Sequence, residues 1–324
     1  MEFDASAPTW DPLGAQIPAA QMAGFLADAE RAAQIAVPAE EKKSDALQFF
    51  VIGGAMFVLG NFVPVLVYGF GNTTLNIIAG FSSWLLGLPF MFIGIAKLNN
   101  ERIRRQAAER TAKMRYAKPR GWVVSMEKSS RFKELQAAFP AFMHPRGGGA
   151  LIAEEWWGTW KSGDEETPVW IAELQYQVQA GKHTRTEYSP IVGVRIRSSS
   201  PVSVTLTPET LGAKFLQLFK GDYKTGNAEF DTVFSVAAGA QQSSSMLPGV
   251  LTPPFIAAVM QYRLKKPLTL LRERDLLLVR FVSNLPMLPA GMPNQPGTSP
   301  DAALDAGIRG LVEPVVALAR QAGL

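Results

Sequence analysis

The chain has 324 residues, with 32 Lys and Arg against 28 Asp and Glu, a formal charge of +4. It holds no cysteine and only two histidines, His144 and His183, which excludes disulfides, thiolate nucleophiles, Cys-ligated metals and His-rich metal sites. Apolar residues make up 47% and charged residues 19%, enough core-forming side chain for one large domain or two small ones and too little charge for a disordered chain.

Residues 1–45 carry eight acids and three bases, with Pro8, Pro12, Pro18 and Pro38. They read as an acidic N-terminal arm with one Ala-rich helix over residues 19–36. Residues 46–96 then hold no Asp, Glu, Lys or Arg at all. The run splits into apolar stretches at 46–68 and 75–96, separated by Gly69-Phe70-Gly71-Asn72-Thr73-Thr74. Each stretch is long enough for the ~20 helical residues that cross a bilayer, and neither shows the polar stripe of a core helix. The expectation is a transmembrane helical hairpin over 46–96. Gly80, Gly87 and Gly94 lie on one face, where small residues permit close helix contact. The run begins too far into the chain to read as a signal peptide.

Residues 97–120 form a basic juxtamembrane helix in this reading. Lys97, Arg102, Arg104, Arg105, Arg110, Lys113 and Arg115 are its candidate membrane-surface residues, suited to a lipid bilayer with anionic headgroups. Basic flanks stay inside, so the expected location is the cytoplasmic (inner) membrane, multi-pass, with both termini cytoplasmic. Few aromatics interleave these cations, and no nucleic acid is expected as partner.

Residues 121–285 read as a cytoplasmic α+β domain. Ser129 to Phe139 has helical spacing, and Gly147-Gly148-Gly149 marks a loop. From Ala150 the period changes to two. Residues 151–161 and 167–180 read as paired strands, with Trp156, Gly158 and Trp160 on one side and Trp157 on the other. Trp170, Ala172, Leu174, Tyr176 and Val178 share a face. Further strands are expected at 188–197, 202–206 and 229–237. A hairpin is expected with its turn at Arg272-Glu273-Arg274-Asp275. Leu206-Thr207-Pro208 and Leu251-Thr252-Pro253 each open a helix. Residues 286–324 are a Pro/Gly-rich linker and a C-terminal amphipathic helix, with Leu304, Ile308, Leu311, Val312 and Val315 aligned. The fold class is α+β: a two-helix transmembrane hairpin followed by a cytoplasmic domain with a mostly antiparallel sheet and packed helices.

Trp157-Gly158-Thr159-Trp160 before a long hairpin, then Glu229-Phe230-Asp231 with Phe234 and Val236, then Leu251-Thr252-Pro253, occur in this order. Over residues 97–281 the chain resembles an uncharacterised bacterial family of two-span membrane proteins with a cytoplasmic α+β domain of unknown function. The Ser- and Gln-rich stretch 237–249 departs from the charged run usual there. The resemblance implies architecture and location, and brings no catalytic residue.

No catalytic, cofactor-binding or metal-ligating set is assigned. Glu154, Glu155, Asp164, Glu165 and Glu166 are the densest acids of the domain, and paired carboxylates serve acid–base work or a divalent ion. Asp164 to Glu166, however, fall on an expected hairpin tip, where solvated acids are ordinary. His183, Ser189 and Asp231 can be drawn as a triad, but no nucleophile elbow is present. His144 reads as a loop residue, and the triple glycine lacks the Lys-Ser/Thr of a phosphate loop. Strand alternation sends Trp157 away from Trp156 and Trp160, so one side needs a second cover: helices, lipid or a partner. Trp157 is therefore the partner-binding candidate. The functional expectation is a membrane-anchored binding or scaffold protein with a protein partner in the membrane and a possible homo-oligomer. The alternatives are a membrane-associated enzyme or ligand sensor using carboxylate chemistry, and an oligomeric transporter or channel subunit.

Overall fold

The structure, a computed structural model, describes residues 11–13, 51–56, 58–59, 88–96, 99–100, 109–125, 131–140, 142–143, 148–208, 223–238, 244–263, 268–281 and 300–322. The chain divides into two compact units, Arg31–Thr111 and Met1–Glu30 with Ala112–Leu324.

In the smaller unit residues 51–56, 58–59 and 88–96 are helical. Among the described residues no helix is long and apolar enough to cross a membrane. This corrects the expected transmembrane hairpin, and with it the integral-membrane assignment and the multi-pass inner-membrane location. Absence of charge permits a span but does not make one. The rest of both expected spans, the turn between them, the helix at 19–36, and Lys97, Arg102, Arg104 and Arg105 lie outside the described residues.

The larger unit is built on a sheet with six strands among the described residues. They are β1 (Val123–Ser125), β2 (Gly148–Ser162), β3 (Glu165–Ala180), β4 (His183–Pro208), β5 (Phe234–Ala238) and β6 (Leu268–Phe281). The order is β1-β2-β3-β4-β5, with β6 also on β4, and every pairing is antiparallel. The mostly antiparallel α+β domain is as expected from the period-two pattern. The β2–β3 and β3–β4 hairpins turn at Gly163 and Gly181, both at φ 64°, which only glycine adopts freely.

Both faces of the sheet are covered over its centre, and the end of the β3–β4 hairpin is exposed. One face carries Trp156, Trp160, Ile171, Val192 and Leu277. It is covered by the end of the helix at 112–117, Trp122, α3 (Pro253–Arg263) and α4 (Pro300–Ala322). The other carries Trp157, Trp170, Leu174 and Leu278 under α1 (Arg131–Ala138), Phe142 and Met143. Trp122 packs edge-on to both Trp156 and Trp160, at centroid distances of 6.4 and 6.3 Å. Its ring lies over Gly158, where an added Cβ would sit 2.4 Å from the indole.

Three expected elements differ. Residues 188–197 and 202–206 belong to one strand, β4, which bends where its register with β6 shifts between Arg195 and Val204. The first half of 229–237 is a helix, α2 (Ala228–Val233). Asn227 caps it by accepting from Phe230 N at 3.1 Å, and Asp231 accepts from Thr225 N at 2.9 Å. The expected turn at Arg272 to Asp275 runs on within β6, with Arg274 left-handed at φ 51°, and the extra residues of the irregular pairing lie on β4, whose Arg195 and Val204 pair with Leu276 and Arg272. The left-handed residue reverses the alternation: Leu270 and Leu277 share one core, Leu271 and Leu276 the other.

α4 is clamped to the sheet side by charge. Tyr116 Oη donates to Asp305 Oδ1 at 3.0 Å, Arg309 Nε lies 2.5 Å from Asp305 Oδ2, and Arg309 stacks over Trp160. Burial and the hydrogen bond to Asp305 push the Tyr116 phenol up to about 12. Burial acts to raise the Asp305 pKa, but hydrogen bonds from Arg309 and Tyr116 and the charges of Arg309 and Arg120 outweigh it and hold the carboxyl below its ordinary value.

Two outcomes follow from these contacts. Gly158→Ala should destabilise the domain by about 1–3 kcal/mol in urea unfolding, since the indole body must move. Asp305 has a depressed folded-state pKa, so its contribution is complete above the unfolded carboxylate value of about 4 and fades as pH falls through the folded value. Asp305→Asn should therefore flatten stability against pH on the acid side of about 4, measured by thermal melts.

Candidate functional site

The sequence Glu154-Glu155-Trp156-Trp157 runs through β2, and strand alternation divides it. Glu154 and Trp156 go to one face, Glu155 and Trp157 to the other. Both acids are buried, at 8% and 2% exposure. A buried carboxylate requires a cation and hydrogen bonds, and each face supplies both.

On the first face Lys113 Nζ lies 2.6 Å from Glu154 Oε2, and Trp156 Nε1 donates to Glu154 Oε1. On the second face Arg131, the first residue of α1, places Nε 3.0 Å from Glu155 Oε1, an ion pair without an aligned hydrogen bond. Trp170, directly opposite Trp157 on β3, donates Nε1–H to the same oxygen at 3.2 Å.

The second face holds a third acid from far away in the chain. Arg131 Nη2 lies 2.6 Å from Asp11 Oδ2, and Trp157 Nε1 donates to that oxygen at 3.2 Å. The Asp11 side chain is fully buried, and its Oδ1 accepts from Leu13 N at 2.8 Å. Leu13 packs on the core that contains Trp157. Arg131 thus serves two carboxylates with one guanidinium and also lies over the Trp157 ring. The result is a junction of α1 and β2 in which Arg131 and the Trp157 indole hold the Asp11 carboxylate and Leu13 packs beside it.

Trp157 is covered within the chain, at 3% exposure. Its second cover is α1 and the segment 11–13. Of the basic candidates, Arg110 and Arg115 are exposed, but Lys113 is 5% exposed and paired with Glu154, which corrects its reading as a membrane-surface residue. The five acids are not gathered: Glu165 pairs with Arg320 at 2.8 Å and Glu166 with Lys161 at 2.7 Å, while Asp164 is exposed in the turn. His183, Ser189 and Asp231 are not brought together. His183 is exposed at the β3–β4 turn, Ser189 Oγ donates to Phe281 O at 2.7 Å, and Asp231 holds Thr225 and Gly226. His144 and Gly147 lie outside the described residues. Among the described residues no group of three or more His, Asp or Glu is placed to hold a metal.

Sequence reasoning missed Arg131 and Asp11. The alternation used for the tryptophans also separates Glu154 from Glu155, and a buried acid beside α1 would have pointed to Arg131. Nothing in the sequence joins Asp11 to a residue 120 positions away.

No protein-family model and no curated protein matches the chain. Among solved structures, the crystal structure of the mycobacterial trehalose monomycolate transport factor A, TtfA, is similar at 14% identity and a TM-score of 0.34. That match covers 65% of this chain and 93% of TtfA. Similarity at that level carries nothing to this chain about fold or activity.

Glu154→Gln should lower stability by about 3–5 kcal/mol, because it removes the carboxylate facing a buried ammonium. The double variant Lys113→Met, Glu154→Leu should recover most of that loss in the same denaturation series, since neither charge then needs compensation.

Proposed function

We propose that the chain is a binding protein, and that the slot between α1 and β2 receives a partner segment bearing a carboxylate followed by an apolar residue. The observation that carries this reading is the seating of Asp11. Its carboxylate is fully buried against Arg131 and the Trp157 indole N–H, and Leu13 enters the core beside it. In this reading Asp11 to Leu13 is the resident occupant, and a partner competes with it.

The competition is physically reasonable. Asp11 lies 120 residues from Arg131, so the arm gains from a tether whose effective concentration is on the order of millimolar or less. A partner presenting the same two groups on a preorganised segment displaces it without dismantling the sheet. Charge-assisted hydrogen bonds to Arg131 supply orientation, and the apolar contact excludes water. Trp157 keeps its place as the residue that contacts the partner, reached once the arm leaves.

The test uses the full chain and a labelled peptide of its own residues 7–15, read by fluorescence anisotropy. Asp11→Ala vacates the carboxylate position and leaves the Arg131–Glu155 pair. This variant should bind the peptide saturably, at least about tenfold tighter than the wild-type chain, whose arm competes. Adding Trp157→Phe, which keeps a ring and removes the donor, should weaken binding by about tenfold, the worth of one hydrogen bond to a charged acceptor. A folded Asp11→Ala chain that fails to bind, or binds equally with Trp157→Phe, overturns the reading.

A further inference from the structure

Arg272 is the one strongly buried cation among the described residues for which no carboxylate is in reach. It stands on β6 opposite Val204 and is 5% exposed. The alternation places its side chain on the face of Leu270, toward the turn that follows residues 244–249. Its Nη1 donates to Val250 O at 3.2 Å, and its buried Nε has no hydrogen-bond partner. The acids beside it on β6 are engaged elsewhere. Asp275 Oδ2 lies 2.7 Å from Arg195 Nε, and Glu273 Oε2 receives a long contact of 3.5 Å from Ser203 Oγ.

A guanidinium removed from water loses several hydrogen bonds and its favourable solvation, and one neutral carbonyl does not replace them. Burial holds the Arg272 pKa below the ordinary arginine value, and at neutral pH the group keeps its charge all the same. The backbone beside it is strained as well. Arg274, two residues on, takes φ 51°, a left-handed conformation unfavourable for a residue with a Cβ. An orphaned guanidinium edge with only one neutral acceptor beside it has one natural complement: a planar or tetrahedral oxyanion taken by two parallel N–H bonds.

We infer that Arg272 is the cation of an oxyanion-binding site between β6 and the Val250 turn, with a carboxylate or phosphate group as ligand. The site is separate from the Asp11 slot, and its test does not depend on that reading. The experiment is a thermal melt of the full chain in inorganic phosphate, in acetate, and in chloride of equal ionic strength. One of the two oxyanions should raise the melting temperature saturably over chloride, by about 3 °C at tenfold excess over its Kd. The response to phosphate alone or to acetate alone tells which group the site prefers. Arg272→Met should melt in chloride at or above the wild-type temperature, because it deletes a buried, uncompensated charge, and it should lose the oxyanion response. Arg272→Lys, which keeps a charge without the planar fork, should show a weakened response. An equal response in wild type and Arg272→Met, or no response of the wild type beyond chloride to either oxyanion, overturns the inference.

Discussion

Strand β2 carries two adjacent glutamates and two adjacent tryptophans through a sheet that is covered on both sides, and the remaining architecture of the larger unit answers to that constraint. Alternation gives each face one buried carboxylate. Each carboxylate then needs a cation, and the helix lying on that face provides it: Lys113 on one side, Arg131 on the other. An indole N–H completes each site, from Trp156 and from Trp170. Buried pairs of this kind add little net stability over apolar residues, but leaving one member alone is expensive. A one-residue slip of β2 would exchange the two faces and strand both acids, so the pairs fix register as much as they hold the helices.

The two faces are closed in different ways. The first is sealed by long elements of the folded domain, with α4 held at Tyr116, Asp305 and Arg309 and by an apolar stripe from Leu304 to Ala322. The second is sealed by the eight-residue α1, the Phe142–Met143 segment and a contact from Asp11 and Leu13. A cover made of a few residues from a distant part of the chain rests on far less buried area than a 23-residue helix does. This asymmetry is why the proposed exchange with a partner segment is placed on the second face and not on the first.

Several elements resisted sequence reading for definite physical reasons. Arg272-Glu273-Arg274-Asp275 has the composition of a turn, and its backbone does leave the strand conformation at Arg274. Pairing with β4 on both sides of that residue keeps the chain running on as one strand instead of reversing. Glu229 to Val233 has strand-like residues, but Asn227 and Asp231 satisfy local backbone N–H groups and the segment winds into a short helix. The uncharged run at 46–96 matched the polarity of membrane spans. Polarity alone does not make a span, and among the described residues no helix is long and apolar enough to cross a membrane.

What the sequence by itself determined is local. The period-two pattern from residue 150 onward set the hairpins and which tryptophans share a face. Gly163 and Gly181 set the turns, and the spacing of Leu304, Ile308, Leu311, Val312 and Val315 set the inner stripe of α4. What only the tertiary structure decided is which charges are buried and who answers them. The Asp11–Arg131–Trp157 contact, the Lys113–Glu154 pair and the isolation of Arg272 join or separate residues far apart in the chain. Local periodicity registers the geometry of one element. A buried charge is stabilised by whichever partner the packing of several elements brings within a few ångströms, and that distance is not written in any one of them.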